Sequence, residues 1–156
     1  MKKNGCPKGY VQLGKHCIPG WCKTHYIDHY GSGNTLVDRG FLLPDGSVMD
    51  FSKLYHTEIA KPRWKKGSTI GFYSNFMKAC KAIRYSVTPM GEDKKKILVL
   101  ESYNKPTGEQ ASQFVKLISR SDKMYGERSG NKMWPCSYEV SNPTPLDAQK
   151  FISRCW

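Results

Sequence analysis

The chain has 156 residues, enough for one domain with one sizeable core and too few for two. Its content of 38% hydrophobic and 12% aromatic residues excludes a disordered tail, and its longest apolar runs, Ile97 to Leu100 and Phe41 to Leu43, fall far short of the roughly 18 residues that cross a bilayer. Twenty-five Lys and Arg against thirteen Asp and Glu leave a net charge of +12, so the expected partners are polyanions, DNA or RNA first and an acidic host or virion protein second; the plain alternative is that the lysines keep a small globule soluble.

Residues 1–33 are rich in Gly, Cys, Lys and aromatics without a sustained period, which predicts an irregular Cys-containing N-terminal arm or a short hairpin ending at Gly31 to Gly33. The remainder, 34–156, is expected to form a single domain. Thr35 to Leu43 and Ser47 to Phe51 flank Pro44, Asp45 and Gly46, a turn signal between two strand-like runs and hence a hairpin. Phe72, Phe76, Met77 and Cys80 recur on one helix face. Ala82 to Thr88 alternates Ile83, Tyr85 and Val87 with polar residues, and Ile97 to Tyr103 returns after a lysine-rich turn, a second hairpin. Thr107 and Gln110 form a capping box ahead of Ala111, Phe114, Val115, Leu117 and Ile118, which predicts a helix of three to four turns. Met124 to Tyr138 reads as irregular. Thr144 and Pro145 then open a last helix with Ala148, Phe151, Ile152 and Cys155 on its apolar face. Two hairpins in a small antiparallel sheet with about three helices on one face give an α+β class.

Cys6, Cys17, Cys22, Cys80, Cys136 and Cys155 are an even set with three readings. Cys6, Cys17, Cys22 and His25 could hold zinc, the one cofactor the residues suggest, with His16 and His29 as substitutes. Cys6 and Cys17 could instead bridge a short hairpin, and the thiols could also simply be free. Cys80 and Cys155, on apolar helix faces, read as small buried hydrophobes. Met1 to Pro7 does not read as a secretory leader, so the expected location is the cytoplasm of a host cell or a virion, unless a leader has been cut away.

The sharpest charged cluster is Lys61, Arg63, Lys65 and Lys66 around Trp64, where an indole could stack on a base while the cations hold phosphates; a solvated loop with Trp64 turned onto the core is the competing reading. Lys94, Lys95 and Lys96 would add a second basic point. Asp50, His56 and Glu58 fall close together and are the weak catalytic candidates, a base and an acid for phosphodiester cleavage, although hydrogen bonds within the chain are the better explanation of Asp50 and His56. Walker, dinucleotide-fingerprint and nucleophile-elbow motifs are missing.

Gly40 to Ser52, with Pro44, Asp45, Gly46, Asp50 and Phe51, followed by His56, Glu58 and Ile59, resembles a poorly characterised domain of phage and mobile-element proteins. Phe76 and Met77 with Ile83 and Arg84, then Lys105, Pro106, Thr107 and Gln110, continue the likeness over residues 35–120. Tyr55 stands where the pattern has an acidic residue. The resemblance implies an accessory protein of a phage or mobile element. Charge and motifs together lead to the expectation of non-enzymatic nucleic-acid binding, with a protein-binding module as the alternative and a nuclease using His56 and Glu58 as the weaker one.

Overall fold

A computed structural model of the chain describes residues 5–20, 22, 38–50, 77–90, 94–130 and 133–156. Strict alternation of apolar and polar side chains builds its centre. In β5 (Ile83–Met90) and β6 (Lys95–Ser102), Ile83, Tyr85, Val87, Leu98 and Leu100 are buried on one face, while Arg84, Ser86, Val99 and Glu101 lie on the other, as period two requires. The Pro44 to Gly46 turn joins β3 (Asp38–Leu42) to β4 (Val48–Asp50), with Gly46 at a φ of 84° and its amide donating to Leu43 O at 2.8 Å. Before them, β1 (Tyr10–Leu13) and β2 (His16–Pro19) form a separate two-stranded hairpin.

The main sheet has six strands in the order β4-β3-β5-β6-β7-β8. The stretch expected to be irregular supplies two of them, β7 (Lys123–Arg128) and β8 (Cys136–Ser141). β7 runs parallel to β6, with Ile97 opposite Lys123 and Ser102 opposite Arg128, whereas the other neighbours are antiparallel. Parallel pairing needs a crossover, and α1 (Gly108–Ile118) provides it. Its capping box forms as the sequence indicates: Gln110 N donates to Thr107 Oγ1 at 3.1 Å and Thr107 N donates to Gln110 Oε1 at 3.0 Å. Gln110 does more than cap, for its buried Nε2 also donates to Leu42 O and Lys81 O at 3.0 and 2.9 Å. α2 (Pro145–Cys155) closes the chain; Asp147 accepts from Thr144 N and from the Tyr138 hydroxyl at 2.6 and 2.7 Å, contacts that hold its carboxyl below the usual range.

α1 and α2 cover one face, where Phe114 and Phe151 meet Leu98, Leu100 and Met124. Gly126 lets the Phe151 ring lie against the sheet; a Cβ there would sit 2.6 Å from Phe151 Cζ. Leu42 joins this core, while Phe41 and Leu43 join a second cluster with Leu13, Ile18, Cys22, Met77, Cys80 and Ala82. Residues 77–80 are helical, as the periodicity predicts. The class is α+β.

The described part of the N-terminal arm is built into this second core rather than hanging from the domain. Cys6 bonds Cys17, and Cys22 bonds Cys80 across a separation of 58 residues. Lys15 Nζ lies 2.8 Å and His16 Nε2 3.4 Å from the carboxylate oxygens of Glu109 in the first turn of α1. Cys136 bonds Cys155, pinning the C-terminus of α2 to β8. Cys80 and Cys155 are buried, as expected of them, but as halves of disulfides rather than as lone hydrophobes.

Candidate functional site

The βαβ step places one end of the sheet under unusual charge. Lys94 turns the chain from β5 into β6 at a φ of 52°, and Lys95 and Lys96 begin β6 opposite Met90 and Pro89. α1 ends at that same edge, where Asp122 stitches the return: its amide donates to Lys96 O at 2.8 Å and its carboxylate accepts from Lys96 N at 2.8 Å. Arg120 and Lys123 flank Asp122 in sequence, and Lys116 lies one turn earlier in the last turn of α1. Asn142 N donates to Asp122 O at 2.7 Å, so the entry to α2 closes the same edge.

The result is a basic ledge of Lys94, Lys95, Lys96, Lys116, Arg120 and Lys123 along the start of the parallel pair. All but half-buried Lys123 are exposed. The acid within the ledge, Asp122, already accepts a backbone hydrogen bond, so its charge is partly engaged. Glu109, at the far end of α1, is held by Lys15 and His16, contacts that lower its pKa from 4.5 to about 2. The sequence also sets Glu92 and Asp93 immediately before Lys94, so acids as well as cations contribute to the field at this turn.

Aromatic rings are distributed differently. Trp134 is 76% exposed, but it lies beside Arg128, whose guanidinium donates to Trp134 O at the opposite end of β7 from Lys123. Tyr125, the nearest ring on β7, is half-buried. Among the described residues the ledge carries no exposed aromatic.

Of the residues singled out in the sequence, Lys94, Lys95 and Lys96 fall on this ledge. Lys61, Arg63, Trp64, Lys65, Lys66, His56, Glu58 and His25 lie outside the described residues. Asp50 ends β4, its backbone paired with Gly40. The zinc set is corrected: Cys6, Cys17 and Cys22 all lie in disulfides, whose sulfurs have no thiolate to offer zinc, and among the described residues no group of three or more His, Cys, Asp or Glu is placed to hold a metal. The local Cys6 to Cys17 bridge, one of the three readings, is the one that forms. No helix among the described residues is long and apolar enough to cross a membrane.

Sequence reasoning missed Lys116, Arg120 and Lys123 as companions of the lysine run. The signal that could have found them is the short Ser119 to Asp122 link after α1, which obliges the chain to re-enter the sheet at the edge where α1 ends. No family model, no curated protein and no solved structure matches the chain.

Proposed function

We propose that the protein is a disulfide-stapled binding module that works outside the reducing cytoplasm, secreted or carried on a virion, and docks an acidic protein surface through the ledge of Lys94, Lys95, Lys96, Lys116, Arg120 and Lys123. The convergence of these cations on one edge carries the reading. Three disulfides, joining all six cysteines, support the compartment, since such bonds persist where glutathione does not reduce them. They also shift the balance from nucleic acid toward protein recognition. The lack of an exposed ring on the described ledge points the same way, because single-stranded nucleic acid is usually held by stacking as well as by charge.

The test measures affinity against salt for duplex DNA, single-stranded RNA and immobilised poly-glutamate, with the wild-type chain and a Lys94→Gln/Lys95→Gln/Lys96→Gln variant. DNA and RNA should be held only at low salt. Capture on poly-glutamate should persist at about 0.15 M salt and fall at least tenfold in the variant. Micromolar or tighter DNA binding at that salt, with a log–log salt slope flattened by about three in the variant, would overturn the reading in favour of a nucleic-acid interface.

A further inference from the structure

α1 has a second side besides the one that enters the core. The core side carries Gln110, Phe114, Leu117 and Ile118, but Gly108, Ala111, Ser112 and Val115 also recur at the i, i+3, i+4, i+7 spacing of a single helix face. In α2 the buried residues are Asp147, Ala148, Phe151 and Cys155, and exposed Leu146 and Gln149 flank Ala148. Where the two helices pack together, these sides enclose a groove of about 440 Å³ whose lining includes Ala111, Ser112, Val115, Leu146, Ala148 and Gln149. Its small side chains let an incoming chain approach the helix backbones closely. Its apolar walls are open, with Val115 37% and Leu146 54% exposed. Apolar side chains left exposed together and rimmed by polar ones mark an interaction surface.

The rim is positive. Lys116 stands one helical turn beyond Ser112, Lys150 one turn beyond Leu146, and Arg154 one turn beyond Lys150. These three are the exposed charged residues of α1 and α2, and all are cations. The acids of the two helices are engaged elsewhere: Glu109 is held by Lys15 and His16, and buried Asp147, which feels the Lys150 charge, accepts from Tyr138 and Thr144. Val115 and Lys116 are consecutive, so the groove and the basic ledge meet on α1. An apolar groove between cations, continuous with a basic edge, is complementary to a partner whose apolar side chains are flanked by carboxylates.

We infer that this groove seats an acidic amphipathic helix of the protein partner, with the apolar side chains of that helix between Val115 and Leu146 and its carboxylates beside Lys116 and Lys150. The choice of an acidic partner rests on the reading of the ledge given above; the groove adds apolar side chains at helical spacing to the description of that partner. A volume of this size takes a few side chains and not a folded domain, which suits one face of a helix laid between two others by ridges-into-grooves packing. Burying those side chains gives the contact a part that salt does not screen, whereas the ledge alone would release its partner as salt rises.

Three blocked peptides of about four helical turns are titrated into the full-length protein at about 0.15 M salt, up to about 1 mM, and followed by amide chemical shifts. The first has Leu at i, i+3, i+4 and i+7 with Glu and Ala elsewhere, the second replaces its Leu by Gln at equal charge, and the third replaces its Glu by Lys. Saturable shifts in residues 108–116 and 145–150 are expected for the first peptide, with binding at least tenfold tighter than for either control. Val115→Ser/Leu146→Ser, which changes two exposed side chains and no charge, should weaken the first peptide at least fivefold and leave capture on poly-glutamate within twofold of wild type. Lys116→Gln/Lys150→Gln should weaken both acidic peptides. Equal binding of the Leu and Gln peptides, a basic peptide held as tightly as the acidic one, or wild-type affinity in Val115→Ser/Leu146→Ser would overturn the inference. If capture on poly-glutamate persists beside any of those results, the groove fails and the ledge stands; if that capture is lost while the shifts around the groove remain, the ledge fails and the groove stands.

Discussion

Removing the disulfides one at a time should expose a definite order of stability. The bridges close loops with sequence separations of 11, 58 and 19 residues for Cys6–Cys17, Cys22–Cys80 and Cys136–Cys155. These loops follow one another along the chain without nesting, so each restricts a different part of the unfolded ensemble and their entropic effects are close to additive. The loop-closure relation gives about 2.8, about 4.2 and about 3.2 kcal/mol respectively. Together they amount to about 10 kcal/mol, comparable with the whole stability of an ordinary domain. The paired variant Cys22→Ala/Cys80→Ala should therefore be the least stable. Its midpoint in a thermal scan should drop by roughly 10–15 °C at this chain length, with a further loss because both sulfurs are completely buried. Guanidinium unfolding of the three paired variants measures the order directly, and the denaturant slope should rise most for Cys22→Ala/Cys80→Ala, whose unfolded chain gains the most surface. A variant lacking Cys22–Cys80 that is as stable as one lacking Cys6–Cys17, with an unchanged slope, would refute the reasoning.

Gly126→Ala brings a Cβ to 2.6 Å from the Phe151 ring, which must move within a filled core; urea unfolding should show a loss of about 1–3 kcal/mol. Gln110→Leu keeps the volume but leaves the carbonyls of buried Leu42 and of Lys81 without this donor, and the same assay should register about 2–3 kcal/mol. Glu109 has a folded-state pKa near 2 against 4.5 unperturbed, chiefly because Lys15 donates to it. Its contribution is thus complete above about pH 4.5 and lost as pH falls toward 2. The Glu109 carboxyl resonance should titrate in that window, and the accompanying acid-side loss of stability should vanish in Glu109→Gln.

The parts of the fold that the sequence announces are those in which local chemistry and tertiary structure agree. Asp45 and Gly46 turn one hairpin, Thr107 and Gln110 start α1, and Pro145 starts α2, each through contacts within a few residues. β7 escapes because its inward positions are Met124, Gly126 and Arg128: a glycine that makes room for Phe151 and an arginine anchored to Trp134 O replace the apolar residues that alternation needs. β8 did carry a signal, since Cys136, Tyr138 and Val140 alternate with Ser137, Glu139 and Ser141. The pairing of Cys22 with Cys80 has no local trace at all, because it follows from packing the hairpin against residues 77–82.

The ledge cations are not equivalent, and the difference bears on what they are for. Lys116 and Arg120 lie at the end of α1, where the carbonyl end of the helix carries partial negative charge and a cation is stabilising by about 0.3–1 kcal/mol whatever else it does. Lys94, Lys95 and Lys96 have no such helix beneath them. Lys94 is the more telling, because its φ of 52° is a left-handed conformation that glycine adopts freely and a lysine enters at a cost of about 1 kcal/mol. A turn selected for stability alone would favour glycine or asparagine there. Three successive like charges at the mouth of an antiparallel pair also repel one another. The left-handed φ argues against a lysine at this turn and repulsion against the run it opens, although Glu92 and Asp93 precede that run in the sequence, while the parallel return of β7 delivers further positive charge to the same edge. Charge concentrated against local preference is what the proposed acidic partner would answer, since its binding would reverse the sign of the repulsion; solubility would be served as well by the same lysines dispersed.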